Sequence, residues 1–138
     1  MYASGTALAR DAQELAAVSP LQAHRLLELA NGDAAQLTGP LVTAAAREGD
    51  PAAVEIYSAM GHWLGRGLAN LAAIIDPTIF VIGGGVSQAG DLLIPHARET
   101  LERTLTGRGY RPMPGVTLAL FGPEAGLVGA ADLARRRV

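Results

Sequence analysis

Three consecutive glycines, Gly83-Gly84-Gly85, follow the apolar run Ile79-Phe80-Val81-Ile82 and precede a segment of helical periodicity. Glycine has no Cβ, so the backbone here can take positive φ, approach a ligand closely and turn its N–H groups toward an anion. A helix over residues 88–105 would aim the positive end of its dipole at the same place. The chemistry this suits is the binding of a phosphate or a ribose. The triplet also suits a tight strand-to-helix turn with no ligand. It matches neither G-x-G-x-x-G nor G-x-x-x-x-G-K-[ST], so spacing alone leaves both readings open.

Other reactive residues are sparse. The chain has no cysteine, hence no disulfide framework and no thiolate zinc site. Its three histidines, His24, His62 and His96, are scattered along the sequence and read as surface residues rather than a metal cluster. Asp76 reads as a helix terminus, and Asp91 as a first-turn residue that complements a helix dipole. Neither reads as a catalytic base.

The elements that would position the triplet are legible around it. Four β-branched or aromatic residues without polar alternation predict a parallel strand covered on both faces. Residues 116–121 predict a second strand, reached through the helix over 88–105, which makes a β-α-β unit with a right-handed crossover. Within that helix Leu93, Ala97, Leu101 and Leu105 share one face. A closing helix over residues 124–137 carries three arginines where its negative end would be.

Upstream, everything predicts helix. Ser19-Pro20-Leu21-Gln22 carries a start signal and Asn31-Gly32 a stop. Further helices are expected over residues 6–17 and 39–48. Asp50-Pro51 opens a long one of about 25 residues that should stop before Pro77. Its apolar face is expected to be Val54, Tyr57, Gly61, Leu64, Leu68, Leu71 and Ile75, with Ser58, His62, Arg66 and Asn70 as a solvated stripe. Gly61, Gly65, Ala69 and Ala72 would let another backbone come close, either the sheet of this chain or a second subunit. The expected organisation is a helical segment over residues 1–77 and a β-α-β-α segment over 78–138. Two strands alone make a marginal sheet, so further strands are expected from outside this sequence.

Length and charge set the outer bounds. At 138 residues the chain fits one domain. A net charge of −2 offers no basic surface for nucleic acid or an anionic membrane. Neither a leader nor an apolar run of about 18 residues is evident, so a cytoplasmic protein is expected.

Three motifs taken together carry a family resemblance: Asp76-Pro77 with the strand after it, Gly83-Gly-Gly-Val-Ser-Gln-Ala-Gly-Asp91, and Gly122-Pro-Glu-Ala-Gly-Leu-Val-Gly-Ala-Ala-Asp132. They resemble the C-terminal part of the ROK family, which includes bacterial glucokinases, other sugar kinases and sugar-responsive repressors. The likeness points to actinobacterial-type glucokinases. Tyr2-Ala-Ser-Gly-Thr-Ala-Leu8 resembles the segment just after that family's zinc-binding cysteines.

The resemblance implies an α/β fold, the helix-rich C-terminal part of an actin-like (ribonuclease H-like) sugar kinase with an incomplete two-stranded sheet. It implies ATP and Mg2+ as cofactors, a hexose as partner in the full-length protein, and a homo-oligomer. Gly83, Gly84 and Gly85 would lie against the nucleotide with Val86 and Ser87 beside them, and Gly126 would approach the same side of the cleft. The family's phosphate-binding loop, its Asn-Asp base pair, its sugar contacts and its zinc ligands match nothing here. The expectation is a portion of a glucokinase that contributes to the nucleotide wall and is inactive alone. The alternatives are the sugar-sensing body of a repressor and a dimerisation module without catalysis.

Overall fold

Local capping sets the helical half. The Ser4 hydroxyl accepts from the Ala7 amide at 3.2 Å and opens α1 (Gly5–Val18). The Asp50 carboxylate accepts from the Ala53 amide at 2.9 Å and opens α4 (Pro51–Ile75), whose first residue is a proline with no amide to orphan. Between them lie α2 (His24–Leu29), a 3-10 turn at Ala34–Gln36 and α3 (Gly39–Arg47). The computed structural model describes residues 4–85 and 89–136.

The remaining elements alternate. Strand β1 (Ile79–Ile82) is followed by α5 (Gly90–Thr104), β2 (Gly115–Leu118), a 3-10 turn at Gly122–Glu124 and α6 (Ala125–Arg136). The two strands pair in parallel, Phe80 opposite Val116 and Ile82 opposite Leu118.

Two clusters make the core. In the first, Leu8, Leu26, Leu37, Val42, Tyr57 and Met60 are filled in by alanines of α1, α3 and α4. Alanine keeps helix axes close and loses no side-chain entropy on burial. The second joins Leu68 and Ala72 of α4, Ile94 and Leu101 of α5, and Phe80 and Val116 of the sheet. Helices α4 and α5 meet where the glycines permit it. A Cβ on Gly65 would lie 2.5 Å from the Ala97 carbonyl oxygen, and one on Gly61 would lie 2.6 Å from the His96 Cβ. The small-residue stripe is therefore occupied within the chain, and its partner is a helix rather than the sheet.

Several expectations need correction. Ser19 opens a turn rather than a helix: its amide donates to the Leu15 carbonyl at 2.7 Å and closes α1, while its own carbonyl accepts from the Gln22 and Ala23 amides. A hydrogen-bonded turn follows, and α2 begins only at His24. The stop at Asn31-Gly32 holds, both residues having positive φ, with the Gly32 amide bonded back to the Leu27 carbonyl.

On α4, Val54, Leu71 and Ile75 are exposed, while Ala53, Met60 and Ala72 take the buried positions. A 25-residue helix of 3.6 residues per turn drifts away from a strict seven-residue repeat, so a stripe drawn with that repeat leaves the core at both ends.

Strand β1 is covered on one face only. Phe80 is buried, whereas Ile79 and Val81 are 53% and 60% exposed. Strand β2 is shorter than residues 116–121, because the chain turns at Ala119 and enters the 3-10 turn with Leu120 exposed. Among the described residues the outer face of the sheet is uncovered, against the two-sided burial its composition predicts.

The end of α4 is tied down by Arg111. Asp76 closes the helix in the left-handed region at φ 45°, and Arg111 donates to both the Ala72 carbonyl and the Asp76 carboxylate. The helix-terminus reading of Asp76 is borne out.

Candidate functional site

The glycine triplet ends at a cavity. Of its three residues, Gly85 lines a space of about 600 Å³ together with Ala89, the residue just ahead of α5. Opposite stand Gly5 and Leu8 of α1, Gly39, Pro40 and Thr43 of α3, and Tyr57 of α4, with Arg47 among the lining residues. This is the size range of pockets that hold a nucleoside or drug-sized ligand, and its walls are apolar with a few polar groups converging, as such pockets require.

Each wall follows from local structure. Gly84 sits at φ 89°, a conformation that L side chains rarely adopt, and it turns the chain out of β1 toward the cavity. Ala89, the N-cap of α5, lines the cavity and makes no side-chain cap bond. On the far side Gly39 approaches the Gly5 carbonyl, where a Cβ would lie at 3.3 Å, and this holds the start of α3 against α1.

A hydroxyl relay stiffens the floor. The Thr43 hydroxyl donates to the Gly39 carbonyl at 2.8 Å, which spends its only proton. The Tyr57 hydroxyl, 2.7 Å away, is therefore the donor to Thr43 Oγ1. Burial holds the Tyr57 phenol above its ordinary pKa, against the pull of the positive charge of Arg47. The phenol stays neutral as a fixed dipole.

The remaining expected residues are placed as follows. Gly83 continues β1 beside Ala119, where a Cβ would lie 3.5 Å from the Ala119 side chain. Val86 and Ser87 lie outside the described residues. Gly126 is in the first turn of α6, and the residues lining the cavity do not include it. Asp91 occupies the first turn of α5 and is exposed, as its reading as a dipole complement requires. The residues that sequence reasoning missed, chiefly Thr43, Arg47 and Tyr57, belong to helices whose existence was legible but whose mutual orientation was not.

Among the described residues no carboxylate lines the cavity. The space can hold and orient an adenosine-sized group and bring backbone amides to a phosphate. It supplies no ligand set for Mg2+ and no general base, so the chain's own residues do not fit the metal the family implies.

Comparison with known proteins places this architecture. The sequence profile of the ROK family matches residues 1–137. The chain belongs to the ROK family. It is 46% identical over 134 residues to a glucokinase of Streptomyces coelicolor, an alignment covering 97% of this chain and 42% of that protein. It superposes with a TM-score of 0.92, at 45% identity, on a ROK family glucokinase from Streptomyces griseus solved in complex with glucose and AMPPNP, covering 98% of this chain and 43% of that one. A putative sugar kinase from Cytophaga hutchinsonii superposes at 0.76 with 25% identity. The fold is the helix-rich C-terminal portion of the ROK sugar kinase fold, carrying two strands of its sheet. The chain spans less than half the length of these relatives. No helix among the described residues is long and apolar enough to cross a membrane.

Proposed function

We propose that this chain is the C-terminal portion of an ATP-dependent glucokinase and supplies part of the nucleotide wall. The observation that carries the reading is the cavity where Gly85 and the start of α5 meet α3 and Tyr57, in a chain 45% identical to a glucokinase solved with glucose and AMPPNP. Gly83, Gly84 and Gly85 approach the phosphates through backbone amides, with Val86, Ser87 and Gly126 as the further contacts. The apolar space bounded by Pro40, Ala44 and Tyr57 takes the adenosine. In the full-length protein the partners are ATP and a hexose, and the assembly is a homo-oligomer in the cytoplasm.

Phosphoryl transfer to a sugar hydroxyl needs a general base and a metal-binding carboxylate, and among the described residues no carboxylate lines this cavity, so the isolated chain is silent. The relatives described above are named kinases, which leaves the repressor body and the dimerisation module without an observation in their favour.

The test is a chimera in which this chain follows the part of the S. coelicolor glucokinase that precedes the matched region. The chimera should form glucose 6-phosphate from ATP and glucose, and the chain alone should form none. Ala44→Trp, which fills the cavity from an exposed position, should raise the KM for ATP in the chimera at least about tenfold while leaving that for glucose alone. A folded chimera without kinase activity would contradict the reading, as would activity in the chain alone.

A further inference from the structure

The contact between α4 and α5 brings together three side chains that the sequence keeps apart. A donor atom from each of His62, His96 and Glu99 lies within 4.8 Å of the other two. The two imidazoles meet edge to face, with ring centroids 5.7 Å apart. The reading of the histidines as scattered therefore holds for His24 alone.

We infer that this cluster is a binding site for a divalent transition-metal cation of the zinc class, clamping α4 to α5. Two imidazoles and a carboxylate are the donor set of an open three-ligand zinc site; Mg2+ and Ca2+ take oxygen ligands instead. Tetrahedral coordination with bonds of about 2.1 Å needs donor atoms roughly 3.4 Å apart, so the side chains close by about 1.4 Å at most. His62 and Glu99 are exposed and free to do so by rotamer.

The backbones are already set. His96 and Glu99 are three residues apart and share a face of α5, and Gly61 lets the His96 Cβ lie against α4 beside His62. The Ser58 hydroxyl lies 3.4 Å from His96 Nδ1. In the tautomer that carries its proton on Nδ1, His96 donates to Ser58 and keeps the Nε2 lone pair for a metal, the outer-sphere arrangement that orients ligating histidines.

The nearby cations do not block the site. Arg103 reaches Glu99 at 3.4 Å in an exposed pair, the kind that contributes little and is readily exchanged for a stronger ligand. Arg66, one turn beyond His62, lies over the Trp63 ring at 5.3 Å. The inference does not depend on the kinase reading, since it uses neither the glycine triplet nor the cavity.

The test uses Zn2+ added to metal-free chain, followed by titration calorimetry, and Co2+ as a spectroscopic probe. The absence of cysteine and the presence of a single further histidine make the assignment clean. One equivalent of Zn2+ should bind at micromolar concentration and raise the melting temperature. Co2+ should give the intense visible band of a four-coordinate ion. His62→Ala and His96→Ala should each weaken Zn2+ binding at least about tenfold, Glu99→Gln by less, and His24→Ala not at all. His62 is exposed, so its variant will fold even if that of the half-buried His96 does not. Absence of binding to the unsubstituted chain, or binding that survives His62→Ala and disappears in His24→Ala, would overturn the inference.

Discussion

The helical half and the sheet end of this molecule are built to different standards of closure. Helices α1 to α4 bury a continuous set of alanines, leucines, Val42 and Tyr57, and α4 is locked onto α5 through glycines that leave no room for a Cβ. At the other end α6 has no buried residue, Leu120 and Leu127 are 92% and 74% exposed, and the outer face of β1 is bare. The sequence is as apolar there as in the bundle, so the difference lies in what stands opposite. One region finds its complement within the chain; the other presents apolar surface that the described residues do not cover. The chain's share of its relatives, 42% of the S. coelicolor glucokinase, agrees with that division.

The same substitution made in each region should change stability in opposite directions. Gly65→Ala puts a methyl group 2.5 Å from a backbone oxygen that can move only if α5 moves. The overpacking penalty of up to about 3 kcal/mol outweighs the roughly 1 kcal/mol that alanine gains in a helix. Chemical denaturation should show a net loss of about 2 kcal/mol. Gly129→Ala in α6 meets nothing within 4 Å, so only the propensity term acts and stability should stay level or rise slightly. Equal losses at both positions would mean that α6 is packed after all.

Native-state hydrogen exchange sharpens the same contrast. The amides of α4 around Tyr57 to Ala72 should exchange near the global unfolding rate, and those of α6 orders of magnitude faster. Comparable protection in the two helices would contradict the division.

A smaller effect comes from the floor of the cavity. Tyr57→Phe removes the donor to Thr43 and should cost about 1 kcal/mol at neutral pH. The folded-state pKa of Tyr57 is raised, so its contribution is complete below the unfolded value of 10.0 and is lost as pH climbs from there through the folded value. Melting curves of the unsubstituted protein should therefore fall in stability above about pH 10, more steeply than those of Tyr57→Phe. The smallest effect expected is Arg111→Ala, about 1 kcal/mol or less, measured in the same way: the Ala72 carbonyl keeps the Asp76 amide as a donor, and the Asp76 carboxylate is exposed to water.

What the sequence made legible follows the range of the interactions. Asp50-Pro51, Asn31-Gly32 and the strand-to-glycine junction are local signals, and each marks a real boundary. The Leu93, Ala97, Leu101 and Leu105 face is buried as its spacing requires. Ser19-Pro20 misled because Ser19 also closes α1, so the chain passes through a hydrogen-bonded turn before α2 begins at His24, and a window of four residues does not reveal the preceding helix. Val81 misled because an apolar β-branched run does not report what stands opposite each face of the strand, and among the described residues nothing covers the outer one.

The site divides in the same way. Gly85 could be found from its position after β1. Thr43 and Tyr57 could not, because they meet only through the packing of α3 on α4. His62 and His96 were hidden for the same reason, being joined by a helix contact that two glycines permit.

The claim at the centre of this account is that the cavity beside Gly85 is a nucleotide wall. The most direct measurement is an NMR titration of the chain with AMPPNP, which reports even weak binding to an incomplete site. The account predicts saturable shifts at Thr43, Ala44, Tyr57 and the Gly83–Gly85 amides, absent in Ala44→Trp. Saturable shifts confined to other surfaces, or none at millimolar ligand while the spectrum shows a folded protein, would contradict it.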